Sequence, residues 1–396
     1  IALAPGYLEK EWTDHGRRYF HYRMDKPILD FFSFQSARYA VKRDQWNDVA
    51  LEVYYDPAHA YNTDRMVDAM KKSLAYFSTA FSPFQFRQMR ILEFPGYERF
   101  AESFANTVPF SESIGFIADL RDPESIDYVF YVTAHELGHQ WWAHQVIGAF
   151  VQGVTMLDET FAQYSALMVQ EHEYRAAKMR KFLKYELDRY LHDRAGEVVE
   201  EMPLALVENQ PYIHYRKGSI VMYSLKDYLG ESVVDKTLAR YDHDKAFQQP
   251  PYTTTKEFLD YLREEAGPGR AALISDLFEK ITIFDDRVTA ATAKKRDDGR
   301  YDVTLSLHAG KTYVDGVGKE TKATFDIPVD IGVFARAADG QEQNEKVLFL
   351  EKRRIADGDS SVTVTVDGEP YEAGIDPYNK LVDKVSDDNR MHVTLQ

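Results

Sequence analysis

The sequence predicts an α+β fold with a β-rich opening, a mainly helical middle and a β-rich close. Three observations carry that expectation. Residues 18–24 and 31–41 are crowded with Tyr, Phe and β-branched types, and residues 49–55 alternate apolar and polar as half-buried strands do. From residue 63 the apolar period becomes helical, and helical punctuation continues to about residue 280. After about residue 288 short alternating runs return, divided by Asp-Gly and other Gly-containing turns. The expected organisation is therefore a β remnant over 1–60, a central domain over 61–288 and a β-sandwich over 289–396.

The elements follow in order. Met66, Met70, Leu74 and Phe77 share one face of a helix expected over 63–81, with Asn62 or Thr63 as its N-cap. Residues 84–94 alternate again, and Pro95-Gly96 ends that strand. Asp122-Pro123-Glu124 is expected to open one helix and Asp158 another. Gly230 closes a third after Leu229, and Thr254 begins a fourth that stops at Gly267-Pro268-Gly269. Residues 303–307, 323–327, 346–350 and 361–366 are the expected strands of a separate antiparallel sandwich.

Composition narrows the function. The 396 residues carry 48 Lys plus Arg against 64 Asp plus Glu, a formal charge of −16. That balance argues against a nucleic-acid partner and against charge-driven binding to anionic lipid. A hydrophobic share of 44% supports large cores and argues against global disorder. With no cysteine, disulfides, thiolate-held zinc, iron–sulfur clusters and cysteine nucleophiles are all excluded. Any metal must be held by His, Asp and Glu. No apolar run approaches the roughly 20 residues of a spanning helix, and the first residues lack signal-peptide character. The chain does not begin with Met and reads as a piece of something longer.

The feature richest in chemistry is His135-Glu136-Leu137-Gly138-His139. Spacing i, i+4 puts both imidazoles on one helical face, with Glu136 beside them for work on a water molecule. Ile126, Val129, Phe130 and Thr133 supply the preceding amphipathic period. Gly138 costs about 1 kcal/mol in a helix interior, so something is expected to pack closely there. A catalytic zinc site takes three protein ligands and keeps one open position. His144 is a poor third ligand, because it falls on another face of the helix if that helix runs unbroken. Glu159, opening a second helical run with Phe161, Tyr164 and Met168 on its apolar stripe, is the better candidate. Tyr215, in Ile213-His214-Tyr215-Arg216-Lys217-Gly218, is a candidate oxyanion donor.

These segments carry a resemblance. His-Glu-Leu-Gly-His-Gln-Trp-Trp, then Asp-Glu-Thr-Phe-Ala-Gln-Tyr, then Tyr-Arg-Lys-Gly, is similar to the aminopeptidase N family of zinc metallopeptidases, the gluzincins. The resemblance implies a truncated N-terminal β-domain, a thermolysin-like catalytic domain and a C-terminal β-sandwich. It implies one Zn2+ on His135, His139 and Glu159, Glu136 as general base, Tyr215 at the oxyanion, and a peptide substrate. The Trp-Trp-Ala-His-Gln-Val-Ile-Gly segment looks like a bacterial branch in which the peptidase follows an ABC-transporter-permease-like membrane segment. That implies an extracytoplasmic, periplasmic domain with a possible transporter partner, the alternative being cytoplasmic.

Two departures stand out. Residues 140–158 separate His139 from Glu159, one more than is usual in the family, which suggests an insertion in the loop at 148–153. The family's amine-holding Gly-x-Met-Glu-Asn segment is missing. Phe100-Ala101-Glu102-Ser103-Phe104-Ala105-Asn106 stands in its place, and Glu102 or Glu112 is the candidate replacement. An endopeptidase on the same site, or a weakly active sensing domain of a transporter, are the alternative functions.

Overall fold

The computed structural model describes residues 1–122, 124–174, 176–337, 341 and 344–396. The chain mixes helices with several small sheets, an α+β fold. It forms two compact units, one of Ile1–Phe150, Leu157–Gln170 and Asp235–Thr254, the other of Val151–Met156, Glu171–Val234 and Thr255–Gln396. No helix among the described residues is long and apolar enough to cross a membrane.

A four-stranded sheet organises the first unit. Its strands run in the order Ala40–Trp46, Val49–Tyr55, Gln88–Phe94, Thr107–Ser111. The first pair is an antiparallel hairpin and the other two pairings are parallel. A parallel neighbour needs a crossover, and helix α1 (Thr63–Ala80) supplies it between the second and third strands. Its stripe of Met66, Met70, Leu74 and Phe77 is fully buried, as the period predicts. Asn62 does not cap α1. Its side-chain amide donates instead to the carbonyls of Gly115 (2.7 Å) and Ala118 (2.9 Å), tying the segment after the last strand to the helix start.

Other departures have local causes. Residues 31–41 are not one strand. Only Gln35–Ser36 pairs, with Ala2–Leu3, before the next strand starts at Ala40. The run Phe31-Phe32-Ser33-Phe34 has no alternation to give it a buried face, and its phenyl groups stay partly exposed. The expected start at Asp122-Pro123-Glu124 is a turn held by Asp122, whose carboxylate accepts from the Glu124 N–H and the Ser125 hydroxyl. Pro123 lies outside the described residues. Helix α2 (Tyr128–Gly138) begins later, capped by Asp127.

In the second unit, α4 (Ala176–Ala195), α5 (Gly218–Leu229) and a later helix, Thr255–Ala266, accompany the sandwich strands. Gly230 ends α5 at φ 89°, the left-handed cap its type allows. One sandwich sheet has the order Gly358–Val366, Tyr301–Ala309, Arg287–Lys295, Thr394–Leu395, and the last pairing is parallel. The other runs Lys346–Arg354, Pro328–Ala335, Glu372–Ile375, Arg390–His392. Val303, Leu305 and Leu307 from the first meet Ile331, Val333 and Ile375 from the second in one buried core. The strand expected at 323–327 is Glu320–Ala323 instead, because Phe325 leaves the sheet to bury its ring against Phe284.

Candidate metal centre

Helix α2 is enclosed on most sides, with Val129, Phe130, Thr133, Ala134 and Leu137 fully buried. Its motif histidines are therefore core groups rather than residues of a solvated face. Asp127 Oδ1 accepts from the Phe130 N–H at 2.9 Å and sets where the helix starts, and hence which face the motif shows. One turn apart, His135 Nε2 and His139 Nε2 face each other at 3.1 Å. The helix ends at Gly138 with His139 as its C-cap, and Ala143 then takes φ 137°. His144 is thus beyond the helix and not on another face of it. Its Nε2 donates to the Ser103 carbonyl at 2.9 Å, and burial lowers its pKa to about 4.

Glu159 arrives from a second helical segment. Residues Met156–Thr160 form a π-helical turn that leads into α3 (Phe161–Glu173). Asp158 consequently lies inside a turn rather than at a helix start, and its carboxylate accepts from the Glu159 N–H. Such a wide turn holds one residue more than an α turn. Gly138 explains the close approach of the two helices: a Cβ there would lie 3.0 Å from Ala162 Cα and 3.3 Å from its Cβ.

The resulting donor set fits a zinc ion. Glu159 Oε2 lies 3.3 Å from each imidazole Nε2, so the three atoms form a nearly equilateral triangle. Tetrahedral zinc with bonds of about 2.0–2.2 Å separates its ligand atoms by about 3.3–3.6 Å. His139 is oriented from behind. His139 Nδ1–H donates to the Trp142 carbonyl at 3.0 Å, leaving the Nε2 lone pair aimed at the triangle. Beside His135, the Tyr131 hydroxyl donates to Gln163.

Titration separates the two rings. Burial lowers the His135 pKa, whereas for His139 the Glu159 carboxylate overcomes burial and raises it to about 10. Glu159 is also buried, yet the two histidines hold its pKa well below the usual carboxylate range. A metal held there would compete with a proton for this triangle.

Glu136 is buried beside the triangle, and burial pushes its carboxyl up to about 8. Its backbone is tied to the strand segment opposite. The Ser103 hydroxyl donates to the Glu136 carbonyl at 2.7 Å. Gln140 donates to Ser103 Oγ and to the Phe104 carbonyl, and accepts from the Asn106 N–H at 2.8 Å. Sequence reasoning passed over Ser103 and Gln140, although Gln140 directly follows the second motif histidine.

That lacing places Glu102 near the triangle. Burial raises its pKa, and the charges of His139 and Glu159 both act on it. Glu102 also lines a cavity of about 610 Å³ in the first unit, walled by Phe31, Phe34, Tyr97, Phe100 and Phe104. Glu112 lines the same cavity, in a second convergence of donors with His59 and Glu93.

Tyr215 belongs to the second unit, in a π-helical turn over Tyr212–Lys217 that runs into α5. The Ser219 hydroxyl donates to its carbonyl at 2.8 Å. Lys217, fully buried in that turn, sits 3.3 Å from Glu201, which Arg194 and the Tyr190 hydroxyl also hold. This buried ionic cluster, another feature the spacing did not disclose, fixes the turn that carries Tyr215.

The Peptidase family M1 domain matches residues 65–281. Human endoplasmic reticulum aminopeptidase 2 is 23% identical over 202 residues, 49% of this chain and 21% of that protein. The crystal structure of Legionella pneumophila aminopeptidase A in complex with aspartic acid superposes with a TM-score of 0.61 at 15% identity. The match covers 100% of this chain and 43% of that one, and is a likeness of fold. The chain thus spans about a fifth of the curated relative's length and less than half of the solved structure's.

Proposed function

Because the chain belongs to the peptidase family M1, we propose that it is a zinc-dependent aminopeptidase working through His135, His139, Glu159, Glu136 and Tyr215. The observation that supports this reading best is the triangle of Nε2, Nε2 and Oε2 at 3.1–3.3 Å with a buried carboxyl beside it. A zinc ion held there would act as a Lewis acid on the scissile carbonyl and on water. Glu136 takes the proton of the attacking water and later passes it to the leaving amine. A pKa raised by burial suits a group that must both accept and release a proton near neutrality. Following the family resemblance, the Tyr215 hydroxyl donates to the oxyanion. Tyr215→Phe is expected to lower kcat about 100- to 1,000-fold with zinc content unchanged, as loss of one oxyanion donor does. Equal zinc and full turnover in that variant remove Tyr215 from the mechanism.

Glu102 is the proposed partner of the substrate's free α-amine, because it lines the cavity and feels the charges of the metal ligands. The test pairs a peptide bearing a free amine with its N-acetylated twin. The wild type should cleave only the first, and Glu102→Gln should lose about tenfold or more in kcat/KM on it, the effect of losing one charged hydrogen bond. Cleavage of both twins at similar rates makes the enzyme an endopeptidase on the same site.

A further inference from the structure

The cavity beside Glu102 has a chemical bias of its own. Asp56, Glu93, Glu102 and Glu112 all line it, together with a single cationic side chain, Arg38. Its wall also carries Phe31, Phe34, Tyr39, Tyr97, Phe100 and Phe104, whose ring faces favour cations. His59 offsets one carboxylate: its Nδ1 hydrogen-bonds Glu93, which is almost fully buried. With that pair and Arg38 counted, two carboxylates remain in excess.

Glu112 is more accessible than Glu93. Its side chain is 27% exposed against 4% for Glu93. The Gly96 N–H holds its Oε1 at 2.9 Å, while Oε2 lies 3.8 Å from His59, too far for a hydrogen bond. It follows the strand Thr107–Ser111, whose hairpin partner carries Glu102: the Glu102 N–H donates to Pro109 and the Ser111 N–H to Phe100. The two carboxylates are therefore set on one hairpin, Glu102 facing the metal ligands and Glu112 further along the same cavity. Phe31, Phe34, Tyr97 and Phe100 stay partly exposed, so the site is a cleft whose carboxylates sum to a field that draws cations.

We propose that this cavity receives the cationic side chain of an N-terminal lysine or arginine, with Glu112 as the ion-pair acceptor that selects it. This rests on the aminopeptidase reading, and the experiment separates the two. Lysine and norleucine share a four-carbon stem and differ by the ammonium. The full chain, loaded with zinc, is assayed on the fluorogenic amides of both. Lysine amide should exceed norleucine amide in kcat/KM by about tenfold or more, the value of one charged hydrogen bond. In Glu112→Gln the preference should vanish through loss on lysine alone, whereas Glu112→Asp should keep most of it. Equal rates on the two amides in the wild type, or an equal fall on both in Glu112→Gln, would overturn the proposal. If neither amide is cleaved, the aminopeptidase reading is what has failed. Calorimetric binding of lysinamide against norleucinamide then decides the cavity on its own: a preference lost in Glu112→Gln upholds it, and no preference refutes it.

Discussion

Glu136→Gln should retain a full equivalent of zinc while turnover falls about 100- to 10,000-fold, the range that removal of a general acid–base group covers. Glutamine has the same shape, so the helix and its histidines are undisturbed, and the hydrogen bond to the Glu136 backbone carbonyl from Ser103 is independent of the side chain. What disappears is the capacity to accept a proton at a position where burial has made the carboxyl unusually basic. Metal analysis beside steady-state kinetics on the same preparation reads both halves of the result. Full activity with zinc present would take Glu136 out of the mechanism.

Glu159→Gln strikes the site differently. It removes the one anionic member of the triangle and leaves two buried imidazoles, 3.1 Å apart, with nothing negative between them. Disturbing a group that merely orients a ligand costs about 10- to 100-fold in metal affinity, so losing a ligand should cost at least about 100-fold. Competition with a chromogenic chelator measures that directly. A thermal melt provides the second reading. The wild type should melt higher with added zinc, since a ligand at 100 times its Kd contributes about 2.7 kcal/mol, and the variant should not respond at the same concentration. Stoichiometric zinc in the variant would exclude Glu159 as a ligand.

The parts of this site that could be read from the sequence are those encoded by short-range periodicity. His135 and His139 are one helical turn apart, and the buried stripe of α1 follows the same rule. Glu159 was legible as a residue, but its mode of arrival was not. A π-helical turn leaves no periodic trace, and Asp158 gave a capping signal inside a turn already under way. The partners of Gln140 and Lys217 are still further from sequence reasoning. Gln140 bonds to Phe104 and Asn106, and Lys217 to Glu201, by pairings that only the folded chain brings together. Aromatic density misled at residues 31–41, where β-propensity is high but no alternation specifies a face, and where Phe31 and Phe34 line a cavity.

The lacing of Ser103, Gln140 and His144 has a consequence for how this chain tolerates change. The segment 103–106 is pinned to the motif helix and its exit by five hydrogen bonds of 2.7–2.9 Å, three through its backbone and two through the Ser103 hydroxyl. The connections on either side run over the surface at 95–100 and largely so at 119–121. Those exposed stretches are accordingly free to lengthen, shorten or exchange sequence without altering the distance between Glu136 and Glu102. Under the proposed function, variation in what is accepted and constancy in the chemistry are thereby assigned to different stretches of backbone.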